Sequence, residues 1–159
     1  MSGSGKSTVT RELAARGERA VDADCDEFSE WVALDAASDA PGTPVEAGRD
    51  WVWRADRIQE LLDTEDSDAL FLSGCAPNMR EFLPRFDHII LLSAPAEIIL
   101  ERLANRTGNS YGKAPGEAAR VLDLIETVEP LLRRAADYEL DTSAPLGEVV
   151  AEVLRIAQQ

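Results

Sequence analysis

Cysteine and histidine are nearly absent from this 159-residue chain, which has only Cys25, Cys75 and His88. Two cysteines cannot build a disulfide framework or a cysteine-rich zinc site, and a single histidine at the start of a strand is structural rather than a metal ligand. No apolar run approaches the ~18 residues of a membrane span. The opening Met1-Ser2-Gly3-Ser4-Gly5-Lys6 has no apolar segment of the kind a secretory signal carries. These absences lead to the expectation of a reducing, cytoplasmic setting without membrane contact. Bases are scarce too: 16 Lys and Arg stand against 30 Asp and Glu, a net charge of −14. Residues 18–68 hold 16 of the acids and 4 of the bases, leaving −12 there and −2 elsewhere. Such a chain does not hold a nucleic-acid backbone by bulk electrostatics. Any anionic ligand must be gripped by local donors against the overall field. The plain reading of the acidic stretch is solvated surface.

What is present is an ordinary globular balance, 45% hydrophobic and 29% charged, over the length of one domain, residues 1–159. A chain of this size buries about two-thirds of its unfolded surface. Hydrophobic periodicity predicts helices over Lys6–Arg16, Trp51–Leu62, Ala96–Asn105, Glu117–Ala136 and Leu146–Ala157, with a weaker helix over Asp24–Leu34. Short apolar runs predict strands at Arg19–Asp22, Ala69–Ser73, His88–Leu92 and Tyr138–Asp141. Residues 35–50 and 107–116 read as loops, rich in Gly and Pro. Short strands alternating with helices imply βαβ units, a parallel sheet covered on both faces, and an α/β class.

One motif carries chemistry. Gly3-Ser4-Gly5-Lys6-Ser7-Thr8 ends a phosphate-binding loop of the pattern G-x-x-x-x-G-K-[ST] and runs straight into a helix. Glycines let backbone N–H groups curl round phosphate oxygens, and the helix aims its positive end at them. Lys6 is expected to reach the β- and γ-phosphates, and the Ser7 hydroxyl to sit on Mg²⁺. The bland alternative is a Gly/Ser-rich tag scar. Counted back from Gly5, the first glycine of the pattern falls before Met1, and the strand that feeds such a loop is not in the sequence. The expectation is therefore a native chain longer by about 6–12 residues, one strand and a glycine.

From Gly3 onward the chain resembles the small P-loop kinases (shikimate kinase, gluconate kinase and the nucleoside monophosphate kinases) and the small AAA-family ATPases. Besides the loop, the resemblance rests on three segments. Asp22-Ala23-Asp24 stands where shikimate and gluconate kinases carry D-x-D. This implies that Asp22 helps to hold Mg²⁺ through water and that Asp24 takes, or orients, the proton of the attacking hydroxyl. Arg106-Thr107-Gly108 and Lys113 resemble the lid, which implies Arg106 on the adenine ring and Lys113 as the mobile cation. Asp141-Thr142-Ser143-Ala144-Pro145 resembles the adenine loop, with Pro145 on the base. The same residues also read as surface carboxylates, as a flexible loop, and as a helix cap at Thr142 or Ser143 with Pro at the helix start.

The resemblance implies a three-layer P-loop fold lacking its first central strand, an acceptor region over about residues 24–63 and a lid over about 107–116. It also implies ATP and Mg²⁺ as cofactors and a small-molecule hydroxyl as acceptor. Arg54 and Arg57 are placed in a helix, where they either clamp the acceptor or pair with nearby acids. Gly74 stands at the acceptor site after the strand ending in Ser73, in Gly74-Cys75-Ala76 where shikimate kinases have a glycine triplet. Trp31, Trp51 and Trp53 either line an acceptor pocket or pack in the core. No acid follows this strand, so Mg²⁺ would rest on Ser7, Asp22 and water. The rival readings are a nucleoside or nucleotide kinase, and a regulatory ATPase without an acceptor. The acceptor's identity and the oligomeric state are not legible.

Overall fold

The computed structural model describes residues 2–33, 48–64, 68–107 and 115–159. In chain order the elements are α1 (Lys6–Ala15), β1 (Arg19–Asp22), β2 (Ser29–Ala33), β3 (Arg49–Trp53), α2 (Ala55–Asp63), β4 (Leu70–Ser73), β5 (Ile90–Ser93), α3 (Ala96–Asn105), α4 (Pro115–Thr127), α5 (Glu129–Ala135), β6 (Tyr138–Asp141) and α6 (Leu146–Ile156). Two short 3-10 turns, Pro77–Glu81 and Leu83–Arg85, follow β4. The chain forms two compact units. One comprises Met1–Val9 with His88–Gln159, and the other comprises Thr10–Asp87.

In the 10–87 unit, β1 pairs in parallel with β4, Asp22 beside Ser73. The strands β2 and β3 form an antiparallel pair in which Trp31 faces Trp51 and Ser29 faces Trp53. The core holds Ala23, Trp53, Ile58, Ala76 and Phe82, with Phe28, Leu62, Leu72, Met79 and Phe86 against it. The α1 helix begins in the other unit and ends here in a Schellman closure. Glu18 N–H donates to Leu13 C=O at 3.1 Å and Gly17 N–H to Ala14 C=O at 3.0 Å.

In the unit of residues 1–9 and 88–159, β5 pairs in parallel with β6, Ile90 beside Tyr138 and Ser93 beside Asp141. Ile99 and Leu103 of α3 bury themselves with Val121 of α4. Val149, Val150, Val153 and Ile156 form the buried face of α6. The His88 ring meets Tyr138 edge-on at 5.8 Å.

Three helix expectations are corrected. The stretch 24–34 carries β2 instead of a helix, and 51–53 belongs to β3, with α2 starting only at Ala55. Trp-Val-Trp and Trp-Val favour a pleated surface once a partner strand is present, and each segment supplies the other's partner. Arg54 accordingly precedes α2 instead of lying within it. The single helix expected over 117–136 is broken at Val128, because Pro130 has no N–H to continue the ladder.

Candidate functional site

The phosphate loop is held by α3 and by the residue after β6. Gly3 and Gly5 both have positive φ, 84° and 93°, which L side chains rarely adopt. At Gly3 space excludes a side chain as well. A Cβ on Gly3 would lie 2.8 Å from Ile99 Cγ2, and one on Gly5 would lie 3.4 Å from Thr142 Cβ. Ser4 between them is buried, 2% exposed. The α1 helix then starts at Lys6, with Val9 N–H donating to Gly5 C=O at 3.0 Å. The positive end of α1 therefore coincides with the loop. Lys6 is half-buried, and Ser7 and Thr8 are exposed.

Thr142 ties this loop to the end of the β5–β6 ladder. Its one hydroxyl proton serves two carbonyls, Ser4 C=O and Ser93 C=O, each 3.0 Å away. Arg102 donates to the same hydroxyl at 2.9 Å, to Thr142 C=O at 2.6 Å and to Gly3 C=O at 3.3 Å. One guanidinium thus joins the loop to the Thr142 turn. Arg106 caps the end of α3 and donates to Ser2 Oγ at 3.3 Å. Pro145 is exposed at the N-cap of α6, and neither Thr142 nor Ser143 caps that helix with its side chain. Instead Asp141 accepts the Ser143 N–H at 2.8 Å. That N–H and the Ser143 hydroxyl hold the Asp141 carboxyl below the ordinary carboxylate range. Lys113 and most of the expected lid lie outside the described residues.

In the 10–87 unit the aspartate pair sits at the C-terminal end of β1. Ala23 is fully buried, its N–H donating to Ser73 C=O at 2.7 Å and its C=O accepting from Ser29 Oγ at 2.6 Å. With the middle residue pinned, the two acids flank it. Half-buried Asp22 accepts the Asp24 N–H at 3.1 Å, and Asp24 is exposed. Asp24 Oδ1 accepts the Cys75 N–H at 3.0 Å, from the loop after β4. Gly74 lies against Asp24 and Trp53, because a Cβ there would meet Trp53 Cζ2 at 2.7 Å and Asp24 Oδ1 at 3.0 Å. Asp22, Asp24 and Gly74 are therefore brought together. Arg54 turns toward β2, donating to Ser29 C=O at 3.3 Å with Glu30 at 4.0 Å. Arg57 is exposed and paired with Glu60 at 3.4 Å. Trp53 is core, whereas Trp31 is 40% exposed, edge-on to Trp51 and under the Arg49 guanidinium.

Residues 1–123 match the profile of a protein family described as AAA domain. The chain belongs to that family. As an AAA domain of P-loop type it is a nucleotide-binding module, and such modules bind their nucleotide with Mg²⁺. No curated protein matches the chain. The loop residues fit a nucleotide phosphate: two glycines of positive φ, a helix N-terminus and a lysine stand in succession. Among the described residues no cluster of three or more His, Cys, Asp or Glu could hold a metal ion unaided. No helix of the described residues is long and apolar enough to cross a membrane.

Arg102 and Asn78 escape the sequence reading, and Thr142 was read there only as part of the adenine loop or as a helix cap. Thr142 lies beyond the stretch that matches the AAA domain, and it acts on backbone carbonyls, a role no residue pattern marks. Arg102 was one more basic residue on an amphipathic helix. The Asn78 side chain accepts the Trp53 N–H at 2.9 Å and donates to its C=O at 2.8 Å, imitating a neighbouring strand.

Proposed function

We propose that this AAA domain is an ATP- and Mg²⁺-dependent kinase that phosphorylates a hydroxyl group on a small molecule. The observation that carries the reading is Asp24, an exposed carboxylate beside Gly74 that is oriented by a backbone donor. In this reading bound Mg·ATP supplies the phosphoryl group and the charge that neutralises it. Gly3, Ser4, Gly5 and Thr8 cradle the phosphates, and Lys6 places its ammonium on the β- and γ-phosphates. Ser7 and Asp22 hold the metal, Asp22 through water. Asp24 accepts or orients the proton of the acceptor hydroxyl. Arg106, Lys113 and Pro145 are assigned to the nucleotide base and the lid. Arg54, Arg57 and Gly74 are assigned to the acceptor. Catalysis is then mainly positioning and charge stabilisation.

The experiment is transfer of label from γ-phosphate-labelled ATP to pooled acceptors: polyols, sugars, hydroxy acids, nucleosides and nucleoside monophosphates. Asp24→Asn is expected to lower transfer about 10²–10⁴-fold, the contribution of a positioned acid or base, without altering ATP affinity. Transfer at the parent rate in that variant would remove Asp24 from the chemistry. A second reading, a nucleoside or nucleotide kinase, draws on the half-exposed Trp31 beside Trp51 as a surface for a base. It predicts label on the nucleoside or nucleotide pools alone.

A further inference from the structure

The indole nitrogen of Trp53 is buried and has no hydrogen-bond partner. Trp53 is 5% exposed, and a tryptophan so buried ordinarily satisfies its N–H. Its placement is firmly specified. Asn78 holds both of its backbone groups, β2 pairs with it through Ser29, and Phe82 packs on its ring with centroids 5.9 Å apart. Nothing in that arrangement serves the indole N–H. The ring edge instead lies on Gly74. The point where a Cβ on residue 74 would stand is 2.9 Å from Trp53 Nε1 and 3.0 Å from Asp24 Oδ1. An orphaned donor and a carboxylate oxygen therefore border the same point over one glycine.

Asp24 Oδ1 already accepts the Cys75 N–H, and a carboxylate has about four lone-pair sites, so a further donor can be accommodated. Asp24 is exposed. Leaving a buried donor unmade is unfavourable, whereas closing it onto an ionised acceptor is favourable. Resting on the reading of Asp24 as the acceptor-side base, we propose that Trp53 is a positioning residue. Its indole N–H is a further donor to the Asp24 carboxylate. Together with the Cys75 N–H it fixes which face of that carboxylate is left for the proton of an acceptor hydroxyl. Gly74 is then required as the residue that lets donor and acceptor approach.

The indole region of a ¹H–¹⁵N NMR spectrum of the full 159-residue chain, without nucleotide or acceptor, tests this. The three tryptophans give three resonances, and Trp53→Phe assigns one of them. In Asp24→Ala the Trp53 resonance is expected to move upfield and its proton to exchange faster with water, with Trp31 and Trp51 unmoved. Gly74→Ala, which drives a methyl between ring edge and carboxylate, is expected to move it the same way. A Trp53 resonance unchanged in Asp24→Ala overturns the proposal, and that variant decides alone should Gly74→Ala fail to fold. The readout involves no phosphoryl transfer. Failure of the labelled-ATP assay therefore rejects the kinase reading, and failure of the NMR shift rejects the role of Trp53.

Discussion

Thr142 has one hydroxyl proton, two carbonyls to serve and one arginine donating to it. Replacing it with valine keeps the shape and removes the polar atom. Ser4 C=O and Ser93 C=O then lose a donor, and the Gly3–Gly5 loop loses its tie to the end of β6. Thr142→Val is expected to destabilise by about 1–3 kcal/mol, the scale of a buried group left unsatisfied. It should also weaken ATP binding with cooperative melting intact. Unchanged melting and unchanged affinity would mean that the loop holds its shape without Thr142. The contrast with Lys6 explains what was legible at this scale. Phosphate binding dictates residue types at fixed spacing, so Gly3 to Thr8 announce themselves in the sequence. Thr142, Asn78 and Arg102 act on backbone atoms of residues distant in the chain, and many side chains in many turns could do so. Asp22 and Asp24 were singled out as one motif and Gly74 separately, and the fold places the three side by side, whereas Arg54 and Arg57 turn to neighbours in their own surroundings.

Among the elements, β4 and β5 were legible as short apolar runs closed by breakers, and β1 and β6 as short strands between helices. The β2–β3 pair was not, because its stability lies in contacts such as Trp31 with Trp51, made across the intervening residues 34–48. Val52, Ala55 and Ile58 keep a helical spacing only because β3 runs directly into α2. The α5 helix carries the clearest electrostatic feature. Arg133 donates to Glu139 on β6 at 2.7 Å and to the buried Glu129 at 2.8 Å. Hydrogen bonding to Arg133 holds the Glu139 carboxyl below the ordinary carboxylate range. Its folded pKa being depressed, the stabilisation is full above the unfolded value of about 4.3 and is lost as pH falls through the folded one. Thermal melts across the acid range should therefore fall less steeply in Glu139→Gln than in the parent. At neutral pH this half-exposed pair is worth under about 1 kcal/mol. Arg133→Ala should cost more, about 1–3 kcal/mol, since it also strips Glu129 of its partner. Equal acid limbs for parent and Glu139→Gln would contradict the assignment.

Across the whole molecule the governing quantity is a net charge of −14. An anionic nucleotide approaches against that field and is held by local donors at the loop. Raising salt from about 10 mM to about 100 mM shortens the screening length from about 30 Å to about 10 Å. The association rate of Mg·ATP is therefore expected to rise with salt, opposite to the behaviour of a basic phosphate-binding protein. A rate that falls over that range would show that a positive local field dominates the approach. Charge and its sign were legible in composition alone, as was the alternation of strands with helices. The division into two compact units was not, since it depends on which segments pack together.

The central claim is that the loop from Gly3 to Thr8 binds Mg·ATP, with Lys6 as its principal side-chain cation. Calorimetric titration of Mg·ATP into the parent and Lys6→Ala proteins tests it most directly. The account predicts saturable binding to the parent and a loss of roughly 2–4 kcal/mol in the variant, or roughly 30- to 1,000-fold in Kd. Equal affinity of the two proteins for Mg·ATP would contradict it.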